Sequence, residues 1–165
     1  SKTILLITGY NKVIIMKRTD KSSFGILGGT FDPIHYGHLI AAEYARCEFN
    51  LTRVIFMPVA RPPHKQLEYV LAEEHRYKMV ELAIKNNPAF EVSSLEMDRE
   101  GYSYTVDTIE YFLKNCPEQE IYFIMGADSL LFMDTWKEYE RLATLCKFVV
   151  VTRPGYILDK SDKWL

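Results

Sequence analysis

From Phe24 onward, short continuous apolar runs alternate with longer stretches in which apolar residues recur at helical spacing. Phe24 to Leu27, Val54 to Met57, Phe90 to Val92, Ile121 to Met125 and Phe148 to Val151 read as strands. Between them, Tyr36 to Phe49 carries Leu39, Ile40, Ala42 and Ala45, and Glu73 to Asn86 carries Met79, Val80, Leu82, Ala83 and Ile84. Thr105 to Asn115 carries Val106, Ile109, Phe112 and Leu113, and Trp136 to Leu145 reads as a fourth helix. Strands apolar at every position are covered on both faces. The alternation therefore predicts an α/β fold, a doubly wound parallel sheet with helices on both faces, in a single domain spanning 24–165. Ahead of it, Thr3 to Thr8 and Val13 to Met16 flank Gly9-Tyr10-Asn11-Lys12, the pattern of a β-hairpin. The polar run Lys17 to Ser23 reads as a linker, so 1–23 is expected to be an extension or linker, with Met16 a second candidate start. The split apolar run fits a signal peptide poorly.

Composition narrows the function more than the fold. The chain has 165 residues, 48% hydrophobic and 25% charged, with a net charge of −2, which argues against a nucleic-acid-binding surface. No apolar run approaches membrane-spanning length. Cys47, Cys116 and Cys146 are odd in number and widely spaced, as in thiols kept reduced, so a cytoplasmic location is expected.

Parallel sheets bind ligands beyond the carboxyl ends of their strands, near the switch in strand order. After the first strand of the domain comes Gly28-Gly29-Thr30-Phe31-Asp32-Pro33-Ile34-His35-Tyr36-Gly37-His38. Paired glycines allow a tight turn and close backbone approach to a ligand, and the start of the next helix offers N–H groups to an anion. His35 and His38, three residues apart, share one face of its first turn. The segment is neither a P-loop nor a GxGxxG fingerprint. Each feature alone has a plainer reading: the glycines as a strand-to-helix turn, the histidines as capped or packed side chains, or as a zinc pair for which no third ligand is evident.

The stretch His35-Tyr36-Gly37-His38 resembles the HxGH-type nucleotidylyltransferases, which have Rossmann-like sheets. More narrowly, the chain is similar to bacterial nicotinate-nucleotide adenylyltransferases. Pro62-Pro63-His64-Lys65, Ser103 to Thr108, Gly126 to Leu130, Thr135-Trp136 before Glu138-Tyr139-Glu140, and Arg153-Pro154-Gly155 match that family in order, over about Phe24 to Trp164. The resemblance implies transfer of the AMP part of ATP to nicotinate mononucleotide, giving deamido-NAD and pyrophosphate. His38 and His35 would act on the ATP phosphates, His38 stabilising the transition state. Gly28, Gly29, Thr30, Phe31, Gly126, Asp128 and Arg153 would complete the ATP site. Asp32 would orient His38 or cap the helix, and Asp128 would meet ribose hydroxyls or cap its own helix. Lys65, with Arg61 and His64 nearby, would meet the mononucleotide phosphate. Thr105 would lie at the nicotinate carboxylate and Trp136 under the ring, where core packing is its plainer reading. Lys137 stands where an aromatic residue is the commoner choice in that family.

Magnesium is expected with ATP, held by phosphates and water and by no protein ligand. The expected partners are ATP and nicotinate mononucleotide, with no nucleic acid and no membrane. The family also carries an Ile-Ser-x-Thr-x-Ile-Arg motif that completes the triphosphate clamp, and Leu165 comes before it. A chain shortened there would have a half-open ATP site and apolar surface that favours a homo-oligomer. Two alternatives stay open: a catalytically impaired nucleotide-binding module, and phosphopantetheine adenylyltransferase.

Overall fold

The structure is a computed structural model that describes residues 4–8, 12–13, 20–61 and 69–152. Its strands are β1 (Ile4–Thr8), β2 (Lys12–Val13), β3 (Ser23–Gly29), β4 (Val54–Pro58), β5 (Phe90–Val92), β6 (Glu120–Gly126) and β7 (Lys147–Val151). They form one sheet in the order β2-β1-β7-β6-β3-β4-β5. Every pairing is parallel except β1 with β2, which pair antiparallel through Ile7 opposite Val13 and Thr8 opposite Lys12. The five strands read from the sequence are thus contiguous, and their order reverses at β3, which has β4 on one side and β6 on the other. Leu27 lies opposite Ile124, so the chain leaves β3 and β6 side by side, at the switch point where open α/β sheets bind ligands.

Helices α1 (Tyr36–Glu48), α2 (Glu73–Ile84), α3 (Thr105–Asn115), α4 (Ala127–Leu131) and α5 (Tyr139–Leu145) cover the two faces. Strand alternation sorts the core. Leu27, Phe56, Tyr122, Ile124 and Val149 pack with Ala42 and Ala45 of α1 and Val80 and Ile84 of α2. Phe24, Ile26, Ile55, Met57, Phe123, Met125, Phe148 and Val150 pack with Val106, Ile109 and Phe112 of α3 and Leu142 of α5. Packing is tight at Gly25: a Cβ there would stand 3.0 Å from the terminal methyls of both Ile124 and Leu51.

Helix α1 stops for a local reason. Asn50 takes φ 53°, and the amides of Leu51 and Asn50 donate to the carbonyls of Arg46 and Cys47 at 2.9 and 3.4 Å. This is a Schellman ending with asparagine in the left-handed position, where a short polar side chain is tolerated.

Three sequence expectations need correction. Ile40 and Leu82 lie on solvent-facing sides, 58% and 53% exposed, because Ile40 stands two residues from buried Ala42 and Leu82 two from buried Val80 and Ile84, about 200° around the helix. The helix expected from Trp136 begins at Tyr139: Trp136 is extended (φ −75°, ψ 141°), and Glu138, the N-cap, has φ 50°. Ahead of it, α4 and a single 3₁₀ turn at Met133–Thr135 occupy a stretch too short to show a helical period.

Candidate active site

The two histidines hold each other through the backbone. His35 is the N-cap of α1, and its Nδ1 accepts from Gly37 N–H at 3.1 Å. His38, the third helical residue, accepts His35 N–H on its own Nδ1, also at 3.1 Å. This is the reciprocal arrangement of a capping box with imidazoles in place of hydroxyl and carboxylate. A nitrogen that accepts a hydrogen bond carries no proton, so each neutral ring has its proton on Nε2. Both rings therefore keep Nε2–H as the donor left for a ligand, at a helix N-terminus that itself favours anions. The rings lie 3.9 Å apart between centroids, inclined at 31°. Burial pushes the His38 imidazole down to about 4, with repulsion from His35 adding to the shift, so at neutral pH His38 is an uncharged donor.

The capping geometry also explains the glycine between them. A Cβ on Gly37 would stand 2.9 Å from both Cε1 and Nδ1 of His35. The earlier glycine pair makes no turn, and its surroundings are crowded. Gly28 and Gly29 both lie within β3, and neither has a positive φ. A Cβ on Gly28 would meet the Phe123 ring at 3.1 Å, and one on Gly29 would meet the Phe31 ring at 3.3 Å. Phe31 is the strained residue: it is buried with φ 51°, its ring edge-on to His38 at 5.0 Å and tilted against Phe56 at 5.9 Å. Asp32 does not cap α1 and does not bond His38; its Oδ2 accepts from Leu71 N–H at 3.1 Å.

Thr30 is tied to its neighbours by a residue the hydrophobic pattern did not single out. Arg76 of α2 is 1% exposed and donates to four carbonyls. Its Nε reaches Leu71 O at 2.8 Å; Nη1 reaches Thr30 O at 2.8 Å and Val59 O at 2.7 Å; Nη2 reaches Ala60 O at 3.1 Å. Burial lowers its pKa, opposed by the attraction of Asp32 and Glu73. A signal was present in the sequence: Arg76, Val80 and Ile84 fall at i, i+4 and i+8, so an arginine shares the buried stripe.

Across the switch point, Gly126 caps α4, and a Cβ built on it would meet open space. Asp128 is in the first turn of α4 and exposed; the cap is Gly126. Trp136 is partly buried against the core, its ring edge-on to Phe123 at 5.8 Å. The next residue brings it to α3: Lys137 Nζ is 4.7 Å from the Tyr104 ring centre and 3.8 Å from Asp107 Oδ2. Thr105 opens α3, whose N-cap, Tyr104, supplies no side-chain hydrogen bond.

The approach to α3 is braced from within. Ser103 Oγ donates to Glu96 O at 2.7 Å, Thr108 Oγ1 donates to Glu96 Oε1 at 2.8 Å, and Arg99 Nη1 donates to Thr108 Oγ1 at 2.9 Å. Burial pushes the Glu96 carboxyl up, with Thr108 and Arg99 opposing the shift. Sequence reasoning missed this network, since Glu96 lies in an irregular loop with no period to mark it as buried.

The structure thus groups His35, His38, Thr30 and Phe31 after β3 and Gly126 and Asp128 at the end of the adjacent β6, while Lys137, next to Trp136, reaches Tyr104 and Asp107 on either side of Thr105. Arg61, shortly after β4, is exposed, while Lys65, His64 and Arg153 lie outside the described residues. Among the described residues no three His, Cys, Asp or Glu side chains come together as metal ligands, and no helix is long and apolar enough to cross a membrane.

Comparison with known proteins identifies the family. A cytidylyltransferase-like family profile matches residues 26–164. The chain is 54% identical over 140 residues to a probable nicotinate-nucleotide adenylyltransferase of Moorella thermoacetica, covering 84% of this chain and 64% of that protein. A protein of the same description from a Thermoanaerobacter species is 53% identical over 142 residues, covering 86% and 67%. The chain therefore spans about two thirds of the length of these relatives. Among solved structures, Plasmodium falciparum nicotinic acid mononucleotide adenylyltransferase complexed with NaAD superposes with a TM-score of 0.74 at 22% identity, over 85% of this chain and 69% of that one. That likeness supports the doubly wound α/β fold read from the strand pattern. The match over 26–164, most of the chain, means that the chain belongs to the cytidylyltransferase-like family.

Proposed function

We propose that this chain carries out adenylyl transfer from ATP to nicotinate mononucleotide, giving deamido-NAD and pyrophosphate, a step of NAD biosynthesis. The observation that carries the reading is the pair of imidazoles whose Nδ1 atoms are occupied by backbone N–H groups. Each then offers Nε2–H to a phosphate at the N-terminus of α1. The relatives described as nicotinate-nucleotide adenylyltransferases supply the substrate class.

The mononucleotide phosphate attacks the α-phosphorus in line; the bond to the β-phosphate oxygen breaks and pyrophosphate leaves with its electron pair. No protein nucleophile is required. His38 donates to the phosphate oxygens as charge develops, and His35 steadies the same group. Magnesium arrives as Mg-ATP and neutralises phosphate oxygens. Gly28, Gly29, Thr30 and Phe31 border the triphosphate, largely through backbone. Gly126 and Asp128 take the adenosine, where the open space beside Gly126 leaves room for it, and Arg153 flanks it. Trp136 supplies a flat face for the pyridine ring, Thr105 opens the helix whose N-terminus favours its carboxylate, and Lys65 meets the mononucleotide phosphate. The extension 1–23 stands apart from these roles, and the enzyme works in the cytoplasm. Mass-spectrometric detection of deamido-NAD after incubation with Mg-ATP and nicotinate mononucleotide tests the reading; its absence at enzyme-equivalent concentrations refutes it.

A further inference from the structure

We propose that Arg76 is the positioning residue of the anion site, locking the segment that leads to His35 and His38 against the segment that follows β4. This inference rests on the reading above. Its four acceptors come from three separate stretches of chain: Thr30 after β3, Val59 and Ala60 after β4, and Leu71 before α2. Leu71 is in turn bonded to Asp32, so the histidine loop is anchored at residues 30 and 32 by groups of the 71–76 stretch. The residue between those anchors is Phe31, in the left-handed conformation and edge-on to His38. A bulky side chain holds that conformation only where its surroundings over-determine it. The two anchors and the Phe56 contact do so.

The choice of arginine follows from the acceptors. They are spread over Nε, Nη1 and Nη2, and a planar fork reaches all of them, whereas a lysine ammonium is a single point. The acceptors are all carbonyls, so the side chain serves as a brace between loops, with Asp32 and Glu73 attracting its charge.

Arg76→Lys keeps the charge and removes the fork. Calorimetric titration with inorganic tripolyphosphate, on variant that melts cooperatively well above the assay temperature, should give binding about tenfold weaker than the unaltered chain. The His35 and His38 ring resonances should shift as well. Equal affinity with unmoved histidine resonances, whatever the loss in melting temperature, overturns the inference. If the lysine variant does not fold, the unaltered protein carries the test: the Arg76 Nε–H and the Ala60 amide resonances should move when tripolyphosphate is added. Unmoved resonances at saturation overturn the inference, as does absence of tripolyphosphate binding. Binding by a protein that transfers no adenylyl group, with the Arg76 effects intact, refutes the proposed reaction and supports the role of Arg76.

Discussion

Replacing Gly37 with alanine should separate activity from stability. The new Cβ would sit 2.9 Å from His35 Cε1 and Nδ1, where carbon contacts prefer about 3.5–4.0 Å. Because His35 is exposed, its ring can swing away at little cost. A retreat of about 0.5 Å or more takes Nδ1 beyond hydrogen-bond reach of the Gly37 amide, from its present 3.1 Å. The lost cap costs about 1 kcal/mol. Alanine in place of glycine inside a helix returns roughly 0.5–1 kcal/mol, so urea unfolding should differ from the parent by less than about 1 kcal/mol. Turnover, in contrast, should fall about 10- to 100-fold as His35 loses its fixed tautomer and direction. Pyrophosphate release in Gly37→Ala, His35→Ala and the double variant reads the coupling directly. If the glycine acts through His35, the double variant is no slower than His35→Ala alone. Fully multiplicative losses, or parent-like turnover in Gly37→Ala, would refute the argument.

Three further outcomes follow from the same geometry. His38→Ala should keep its circular dichroism and lose about 10²–10³ in kcat, a value within twofold of the parent being contradictory. Trp136→Ala should raise KM for nicotinate mononucleotide more than for ATP; an equal rise in both would leave the Phe123 packing as its whole role. His38 has its folded pKa near 4 against 6.5 when unperturbed, so the folded state binds fewer protons between those values. Its contribution to stability is present above about pH 6.5 and is lost as the pH falls toward 4. In NMR titration of the ligand-free protein its ring should not titrate down to about pH 5, and a midpoint near the unperturbed value would contradict the burial argument.

The sheet was legible because its strands are uniformly apolar and so announce burial on both faces: Ile26, Phe56, Ile124 and Val149 are all essentially solvent-free. The histidine pair was legible as a constellation after β3, but its mutual capping was not, because imidazoles are unusual N-caps. The glycines were visible and their reason was not: Phe123 and Phe31, which fill the space beside them, are brought there by the fold. Arg76 and Glu96 escaped for a shared reason. Charged residues are seldom fully buried, so a hydrophobic pattern assigns them to solvent, and only the carbonyls and hydroxyls around them make burial tolerable. The stretch from Gly126 to Glu138 changes conformation every few residues, which no periodicity registers.

The central claim is tested most directly by measuring pyrophosphate release from Mg-ATP with nicotinate mononucleotide, with phosphopantetheine, and with no acceptor. The account predicts release with nicotinate mononucleotide alone, slowed about 10²–10³-fold in His38→Ala. Release with phosphopantetheine instead, or release with none of the three, would contradict it.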